Sequence, residues 1–268
     1  MEEKKKKKKK IVLSCLIFVL SAITLSATTE QTLRTNLTNA GVKKASIDEY
    51  IKILTNNNIT EVEKILNNAI KLDPKNYYAK EDLAAVYLTQ NGKENEAVKL
   101  LEEALKVDSK NHVPYINLLQ AYARLNKGKE YVDTLNGLVN NIPEYPDGYR
   151  LAGIFLLNNK KNEEAIPYIE KAVELYSKLS GDTYPELTPN KNLLLADSYA
   201  LEITNYAEMG RHQRAIDLFS TRRSTIKNVS PETEEKLLEV VKKSNETFNK
   251  SATKKVYDSN LKKLGLKK

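Results

Sequence analysis

Apolar residues recur along this chain at the spacing of amphipathic helices, and they also recur with a longer period. Four segments place a bulky residue four positions after their first residue and another small or apolar residue three positions later. They are Val62-x3-Leu66-x2-Ala69, Ala97-x3-Leu101-x2-Ala104, Tyr131-x3-Leu135-x2-Leu138 and Ala165-x3-Ile169-x2-Ala172. Their starting positions are separated by 35, 34 and 34 residues. A period of this length predicts stacked helical hairpins.

A second pattern precedes each of the last three segments and supplies the first helix of the hairpin. It reads Lys80-x2-Leu83-Ala84-x2-Tyr87, Tyr115-x2-Leu118-Leu119-x2-Tyr122 and Tyr149-x2-Ala152-Gly153-x2-Leu156. The two patterns together resemble the tetratricopeptide repeat, which has an aromatic residue, Leu-Gly, Tyr, a small Ala and a bulky residue at these places. The resemblance covers residues 45–176, about half of the chain, and implies a right-handed all-α solenoid.

Small residues at fixed places in the pattern have a physical reason. Ala97 and Ala165 allow two helices to cross closely, and Ala84 and Gly153 do the same from the partner helix. Tyr131 occupies the place of the small residue in the third unit. We therefore expect the hairpin at Tyr131 to be splayed or shifted.

The pattern predicts boundaries along the whole chain. Residues 1–27 are a targeting segment, 28–44 a linker, 45–228 about five hairpins, 229–250 a capping helix and 251–268 a solvated basic tail. Hairpin turns are expected near Asn57, Gly92, Lys127, Lys160 and Gly210. Helix starts are expected at capping boxes beginning at Ser46 and Thr60 and at a Ser230-Pro231 cap. An insertion over residues 177–192 is either a spacer or a functional loop.

The N-terminus has the composition of a targeting segment rather than of a folded domain. Seven lysines at residues 4–10 precede an uncharged run at residues 11–25, and small polar residues follow. This order is typical of a secretory signal peptide, with cleavage after Ala27, and the alternative is an uncleaved inner-membrane anchor. The sequence around Cys15 also resembles a lipobox, although very little apolar sequence precedes that residue.

Charge and composition exclude several classes of function. The net charge is +8, but the positive charge lies at the two ends, and residues 28–249 carry −3. Nucleic-acid binding is not expected, because it requires a basic face on the fold. The single cysteine, Cys15, rules out a disulfide within the chain, and neither His112 nor His212 has partners at metal-ligand spacing. No nucleotide or hydrolase motif is present, so we expect no cofactor and no catalytic activity.

The resemblance also implies a concave surface, lined by the first helix of each unit, that binds a peptide or helix of another protein. The positions expected to face that surface are Tyr78, Glu81, Ile116, Gln120, Arg124, Arg150, Ile154 and Asn158. Arg124 and Arg150 are expected to be interface anchors, whose truncation would weaken binding without lowering stability.

The sequence is consistent with two classes of function. The first is a non-catalytic adaptor or assembly factor, exported to the periplasm or cell envelope, that binds another protein. The second is a membrane-anchored structural protein that self-associates through its repeats and contacts the membrane through residues 1–27.

Overall fold

The computed structural model describes residues 27–181, 183–249 and 254–266, and all regular structure in these ranges is helical. The predictions of a targeting segment and of a lipobox at Cys15 concern residues 1–26, which lie outside the described residues. Contacts between Cα atoms divide the chain into two compact units, Met1–Ile142 and Pro143–Lys268. We describe each unit by itself.

The part of unit 1 that the structure describes, residues 27–142, contains seven α-helices, which form a leading helix and three hairpins. They are α1 (Ala27–Asn39), α2 (Lys44–Ile51), α3 (Ile59–Leu72), α4 (Tyr77–Leu88), α5 (Glu94–Val107), α6 (His112–Arg124) and α7 (Gly128–Asn141), with a 3-10 turn at Lys52–Thr55 after α2. Each helix packs on the next, and the first helices α4 and α6 also contact each other. The turns at Asn57, Gly92 and Lys127 are confirmed.

The small residues of the repeat pattern lie at the helix crossings of unit 1. Ala84 and Ala97 are fully buried in one cluster with Leu101 and Leu118. Tyr131, in the place of the small residue, is only partly buried and packs against the edge of this cluster. In that hairpin the close approach occurs at Gly137, where an added Cβ would lie 3.0 Å from the Tyr115 ring.

The linker expected over residues 28–44 is instead largely helix α1. Leu33 and Leu37 are buried in the same core cluster as Ile47 and Tyr50 of α2. Arg34 bridges the two helices through an ion pair of 2.7 Å between its Nη1 and Asp48 Oδ1. The segment is rich in Thr and Asn, which are weak helix formers, so its helicity depends on these tertiary contacts.

Two of the three expected helix caps are misplaced. Ser46 lies inside α2, is fully buried, and donates a hydrogen bond of 2.6 Å to the carbonyl of Ala69. The cap of α3 is Asn58, whose Oδ1 accepts from the backbone N–H groups of Thr60 and Glu61. The Ser230 cap is confirmed, because its Oγ accepts the backbone N–H of Thr233 at 3.3 Å.

The described residues of unit 2 form six α-helices, again arranged as successive hairpins. They are α8 (Pro146–Asn158), α9 (Asn162–Lys178), α10 (Lys191–Glu208), α11 (His212–Val229), α12 (Pro231–Asn249) and α13 (Lys254–Lys263). Gly153 lies at the α8–α9 crossing, where an added Cβ would come within 2.6 Å of Ile169 Cγ1. The turns at Lys160 and Gly210 are confirmed, and Gly210 adopts a positive φ of 73°.

The inserted segment between α9 and α10 packs against its own unit. Leu179, Tyr184 and Leu187 are buried, and the Tyr184 ring meets the Tyr145 ring edge-on at 4.9 Å. The Lys191 ammonium donates to the carbonyl of Leu179 and ties the end of the segment to its start. The described part of this insertion therefore forms an anchored loop.

The C-terminal tail is not the solvated segment that its lysine content predicts. It contains helix α13, which contacts α11 and α12, and Leu264 just after it is fully buried. Asn260 donates to Asn245 Oδ1 at 3.0 Å, and Arg223 donates to the carbonyl of Leu264 at 2.6 Å. These contacts make α13 part of the packed end of unit 2, together with the expected capping helix α12.

Candidate functional site

In unit 1 the first predicted position, Tyr78, is covered by the chain itself. Its hydroxyl accepts a hydrogen bond of 3.1 Å from Asn36 Nδ2 of α1. Its ring stacks on Tyr50 of α2, with a centroid distance of 6.4 Å. Tyr78 is therefore half-buried between its own helix and its neighbours.

Glu81, the second predicted position, lies in the interior of unit 1. It is 4% exposed, and its Oε1 accepts a hydrogen bond of 2.8 Å from Asn111, which also caps α6. Burial raises the pKa of Glu81 well above its usual range, and the neighbouring Asp82 raises it further. Glu81 thus joins α4 to the start of α6 and does not face a partner.

Asp82, the next residue of α4, contacts the preceding hairpin. Its carboxylate accepts a hydrogen bond of 2.7 Å from the Tyr50 hydroxyl. Burial raises the pKa of Asp82 to about 6, although the hydrogen bond from Tyr50 opposes this shift. The two adjacent carboxyls of α4 therefore hold the first helices of three hairpins together.

The predicted positions on α6 differ in how much of each side chain is available. Ile116 and Gln120 are half-exposed on one face of the helix. Arg124 is also half-exposed, but its Nη1 donates to the carbonyl of Leu88 at the end of α4. Ile116 and Gln120 remain candidates for partner contact, whereas Arg124 already has a structural partner.

In unit 2 the predicted anchor Arg150 belongs to an internal cluster. Its Nε pairs with Asp147 Oδ1 at 2.6 Å, and the same oxygen accepts the Tyr176 hydroxyl at 2.7 Å. Burial lowers the pKa of Arg150, but the charges and hydrogen bonds of Asp147 and Tyr176 outweigh burial and raise it overall. The Arg150 side chain is 18% exposed, so its main role here is to join α8 to α9.

The last two predicted positions, Ile154 and Asn158, lie one turn apart on α8, half-exposed and exposed respectively. Asn158 lines a cavity of about 380 Å³ between α8 and α10. Leu157 and Leu201 supply apolar walls, while Thr204 and Glu208 supply polar ones. Of the eight predicted residues, Asn158 is the one that the structure places in a cavity wall.

A second cavity, of about 280 Å³, continues along the other side of α10. It shares Thr204 and Glu208 with the first cavity and adds Val240 and Lys243 from α12. His212 also lines it, and the buried Nδ1 of this ring has no hydrogen-bond partner. We call the two cavities together the α10 groove, because α10 contributes to both.

Sequence reasoning missed the residues of α10 and α12 that form this groove. The 34-residue register is lost at the insertion before α10, so the pattern could not assign inner positions beyond Asn158. In the structure α10 contacts both α8 and α12, and these contacts show which residues of α10 line the groove. The usable signal was Leu201, Thr204 and Glu208 at spacings of three and four residues, which share one face of a helix.

A metal site and a membrane span each have requirements with which the described residues can be compared. No group of three or more His, Cys, Asp or Glu side chains there could hold a metal ion. No helix in the same ranges is both long enough and apolar enough to span a bilayer.

Comparison with known proteins finds a family match for one hairpin of the chain. Residues 149–179, which cover most of α8 and the whole of α9, match the model of the tetratricopeptide repeat. This match to the tetratricopeptide repeat covers a single hairpin. No curated protein matches the sequence.

Solved structures extend the likeness of the fold beyond the matched repeat. YrrB, described as a tetratricopeptide repeat protein with an unusual peptide-binding site, is 18% identical with a TM-score of 0.52, over 74% of this chain and 90% of that one. The Cut9–Hcn1 hetero-tetramer of the APC/C is 16% identical with a TM-score of 0.50, over 88% of this chain and 42% of that one. The fold class is therefore an all-α solenoid of the tetratricopeptide-repeat kind.

Proposed function

We propose that this protein binds a segment of another protein in the α10 groove and acts as a non-catalytic adaptor or assembly factor. The observation that carries the proposal is the pair of adjoining cavities on α10. Leu157, Leu201 and Val240 give the groove apolar contacts, and Glu208 and Lys243 place charges of both signs around them. A groove of this kind suits an amphipathic helix or an extended peptide.

The fold supports the same class of ligand. YrrB, which shares the fold, is described as binding a peptide. Repeat proteins of this type are generally non-catalytic scaffolds. The contacts made by Glu81, Arg124 and Arg150 within the chain move the expected binding positions toward α10 and α12.

A substitution in the groove tests this function. Leu201→Glu places a charge on the half-exposed apolar wall and should abolish capture of the partner by the tagged full chain. Lys99→Glu, on the exposed face of α5, is the matched control and should leave capture unchanged. A partner captured equally well by both variants would show that the α10 groove is not the binding site.

The place of action that we propose is the cell envelope. The support is the sequence of the N-terminus, where seven lysines precede an uncharged apolar run. N-terminal sequencing of the protein from its own cells should find Thr28 as the first residue. An intact Met1 in the membrane fraction would support the anchored alternative, and an intact Met1 in the cytosol would refute export.

Self-association remains the second proposal, as the structural role of a membrane-anchored protein. Light scattering of the purified protein over a range of concentrations separates the two. A constant monomer mass favours the adaptor, and a mass that rises with concentration favours the self-associating protein.

A further inference from the structure

The loops between successive hairpins of unit 1 repeat a short sequence. Residues 71–76 read Lys-Leu-Asp-Pro-Lys-Asn, and residues 106–111 read Lys-Val-Asp-Ser-Lys-Asn. Both loops follow the second helix of a hairpin, so they lie at the same edge of the unit. The turn between α1 and α2 joins them, because the backbone N–H of Lys43 donates to Asp73 Oδ2 at 2.7 Å.

We call this edge of unit 1 the lysine edge. Its charged members are Lys43, Lys71, Lys75, Lys106 and Lys110, all exposed, and none forms an ion pair with a described residue. The two nearby carboxylates do not neutralise them by pairing: Asp73 accepts the backbone N–H groups of Lys43 and Lys75, and Asp108 accepts that of Lys110.

The opposite edge of unit 1 has a different electrostatic character. Lys127 there lies 6.0 Å from the centroid of the Tyr122 ring, and four other lysines are paired with carboxylates of the same or a neighbouring helix. The pairs are Lys52–Glu49, Lys64–Glu61, Lys93–Glu63 and Lys129–Asp133. Residues 27–142 carry fifteen basic and fifteen acidic residues, so the positive charge of the lysine edge is a local feature of a unit with no net charge there.

Apolar side chains are exposed among these lysines. Leu72 is 43% exposed, Val107 44% and Val113 39%. Leu72 and Val107 occupy the same place in the two copies of the repeated sequence, each with a lysine just before it and another three residues after it. Leu72 and Val107 are the last residues of α3 and α5, so the same place on each helix end combines an exposed apolar side chain with flanking lysines.

Helix dipoles explain only part of this arrangement. Lys71 and Lys106 lie in the last turns of α3 and α5, where a positive charge is favourable for the helix itself. Lys43, Lys75 and Lys110 lie outside the α-helices and have no such local reason. The exposed Leu72 and Val107 have none either.

We propose that the lysine edge binds an acidic segment of another protein that also carries apolar side chains. Lysine amines and carboxylates are complementary in charge, and Leu72, Val107 and Val113 would contact apolar residues between the acidic ones. At most two packed helices, roughly 20 Å, separate one loop from the next. An extended segment spans that distance with about six residues. This surface is separate from the α10 groove and does not depend on it.

The geometry of α1 favours a protein over a lipid surface as the occupant. The C-terminal end of α1 leads into the lysine edge, and its thirteen residues carry Ala27 roughly 20 Å away along the helix. A chain held in a bilayer by residues that precede Ala27 would therefore present the lysine edge away from that bilayer.

A peptide of known composition tests the proposal on the full chain in neutral detergent. The probe is a fluorescein-labelled twelve-residue peptide of repeated Glu-Glu-Leu, followed by fluorescence anisotropy. The test variant is K71E/K75E/K106E/K110E, and the control is K52E/K64E/K99E/K129E, which has the same net charge and the same residues 4–10. Helical content by circular dichroism should match the parent for both, because every substituted lysine is exposed.

We expect the test variant to bind the peptide roughly ten-fold or more weakly than the control, because each exposed ion pair changes affinity by about 1.5- to 5-fold. Carbodiimide cross-linking should join the peptide to Lys71, Lys75, Lys106 or Lys110 in the parent chain. Equal affinity for the two variants, or cross-links only at other lysines, would overturn the proposal.

A local probe distinguishes a lipid surface from a protein segment. Leu72→Cys in a Cys15→Ser background carries an environment-sensitive dye at the C-terminal end of α3. The dye should respond to the acidic peptide and not to phosphatidylglycerol vesicles. A response to the vesicles without one to the peptide would assign the edge to lipid and refute a protein partner.

Discussion

Replacing Ala97 by Leu should destabilise unit 1, because it fills a helix crossing that has no room. Ala97 is fully buried at the α4–α5 crossing and belongs to one cluster with Ala84, Leu101 and Leu118. Leucine adds three carbon atoms to a site packed at the density of a protein interior. Overpacking of this kind costs about 1–3 kcal/mol of unfolding free energy, whereas the change in helix propensity is only a few tenths of a kcal/mol.

The control for this substitution lies two residues away on the same helix. Lys99→Leu introduces the same side chain on the exposed face of α5 and should change the unfolding free energy by less than about 0.5 kcal/mol. Urea unfolding followed by circular dichroism measures both variants, and Ala97→Leu should also lower the melting temperature by roughly 2–12 °C. Equal losses for the two variants would refute the register of the repeat.

Three further substitutions test the packing and electrostatics of single sites. Gly153→Ala brings a Cβ within 2.6 Å of Ile169 Cγ1, so urea unfolding should show a net loss of about 1 kcal/mol despite the better helix propensity of alanine; a gain in stability would contradict the close crossing. Arg150→Ala leaves Asp147 without its cation and should lower the free energy of unfolding by about 1–3 kcal/mol, measured by thermal unfolding. An unchanged melting temperature would show that Arg150 does not stabilise the unit and is available to a partner. Burial raises the folded pKa of Asp82 to about 6, so Asp82 adds most to the free energy of unfolding below about pH 4, and this contribution is lost as the pH rises toward 6. Urea unfolding at pH 4 to 7 should show the decline in stability, and Asp82→Asn should weaken that decline. An identical decline in the variant would assign it to other groups.

The repeat pattern was sufficient to predict the hairpins, because it records the packing of neighbours along the chain. Ala84 and Ala97 are small because the crossing requires it, and the turns at Gly92 and Lys160 follow from the same spacing. The segments that form α1 and α13 were mispredicted as a linker and a solvated tail, because their packing involves residues that are not sequence neighbours. Their helicity depends on the burial of Leu37 and Leu264 against residues distant in sequence.

The candidate site was predicted less well than the fold. Periodicity identifies the face of a helix but not the partners that meet it. Glu81 and Arg150 lie on the expected helices, yet Asn111 and Asp147 bind them within the chain. The groove residues of α10 lay beyond the insertion, where the 34-residue register no longer applies.

The central claim is that α10 contributes the surface that holds the partner, and site-specific photo-cross-linking tests it most directly. A photoreactive phenylalanine derivative replaces Thr204, which lines both cavities of the groove, or Lys99, on the exposed face of α5. Irradiation of cells that express each variant should yield a cross-linked protein from position 204 and none from position 99. A product from position 99 with none from position 204 would contradict the account.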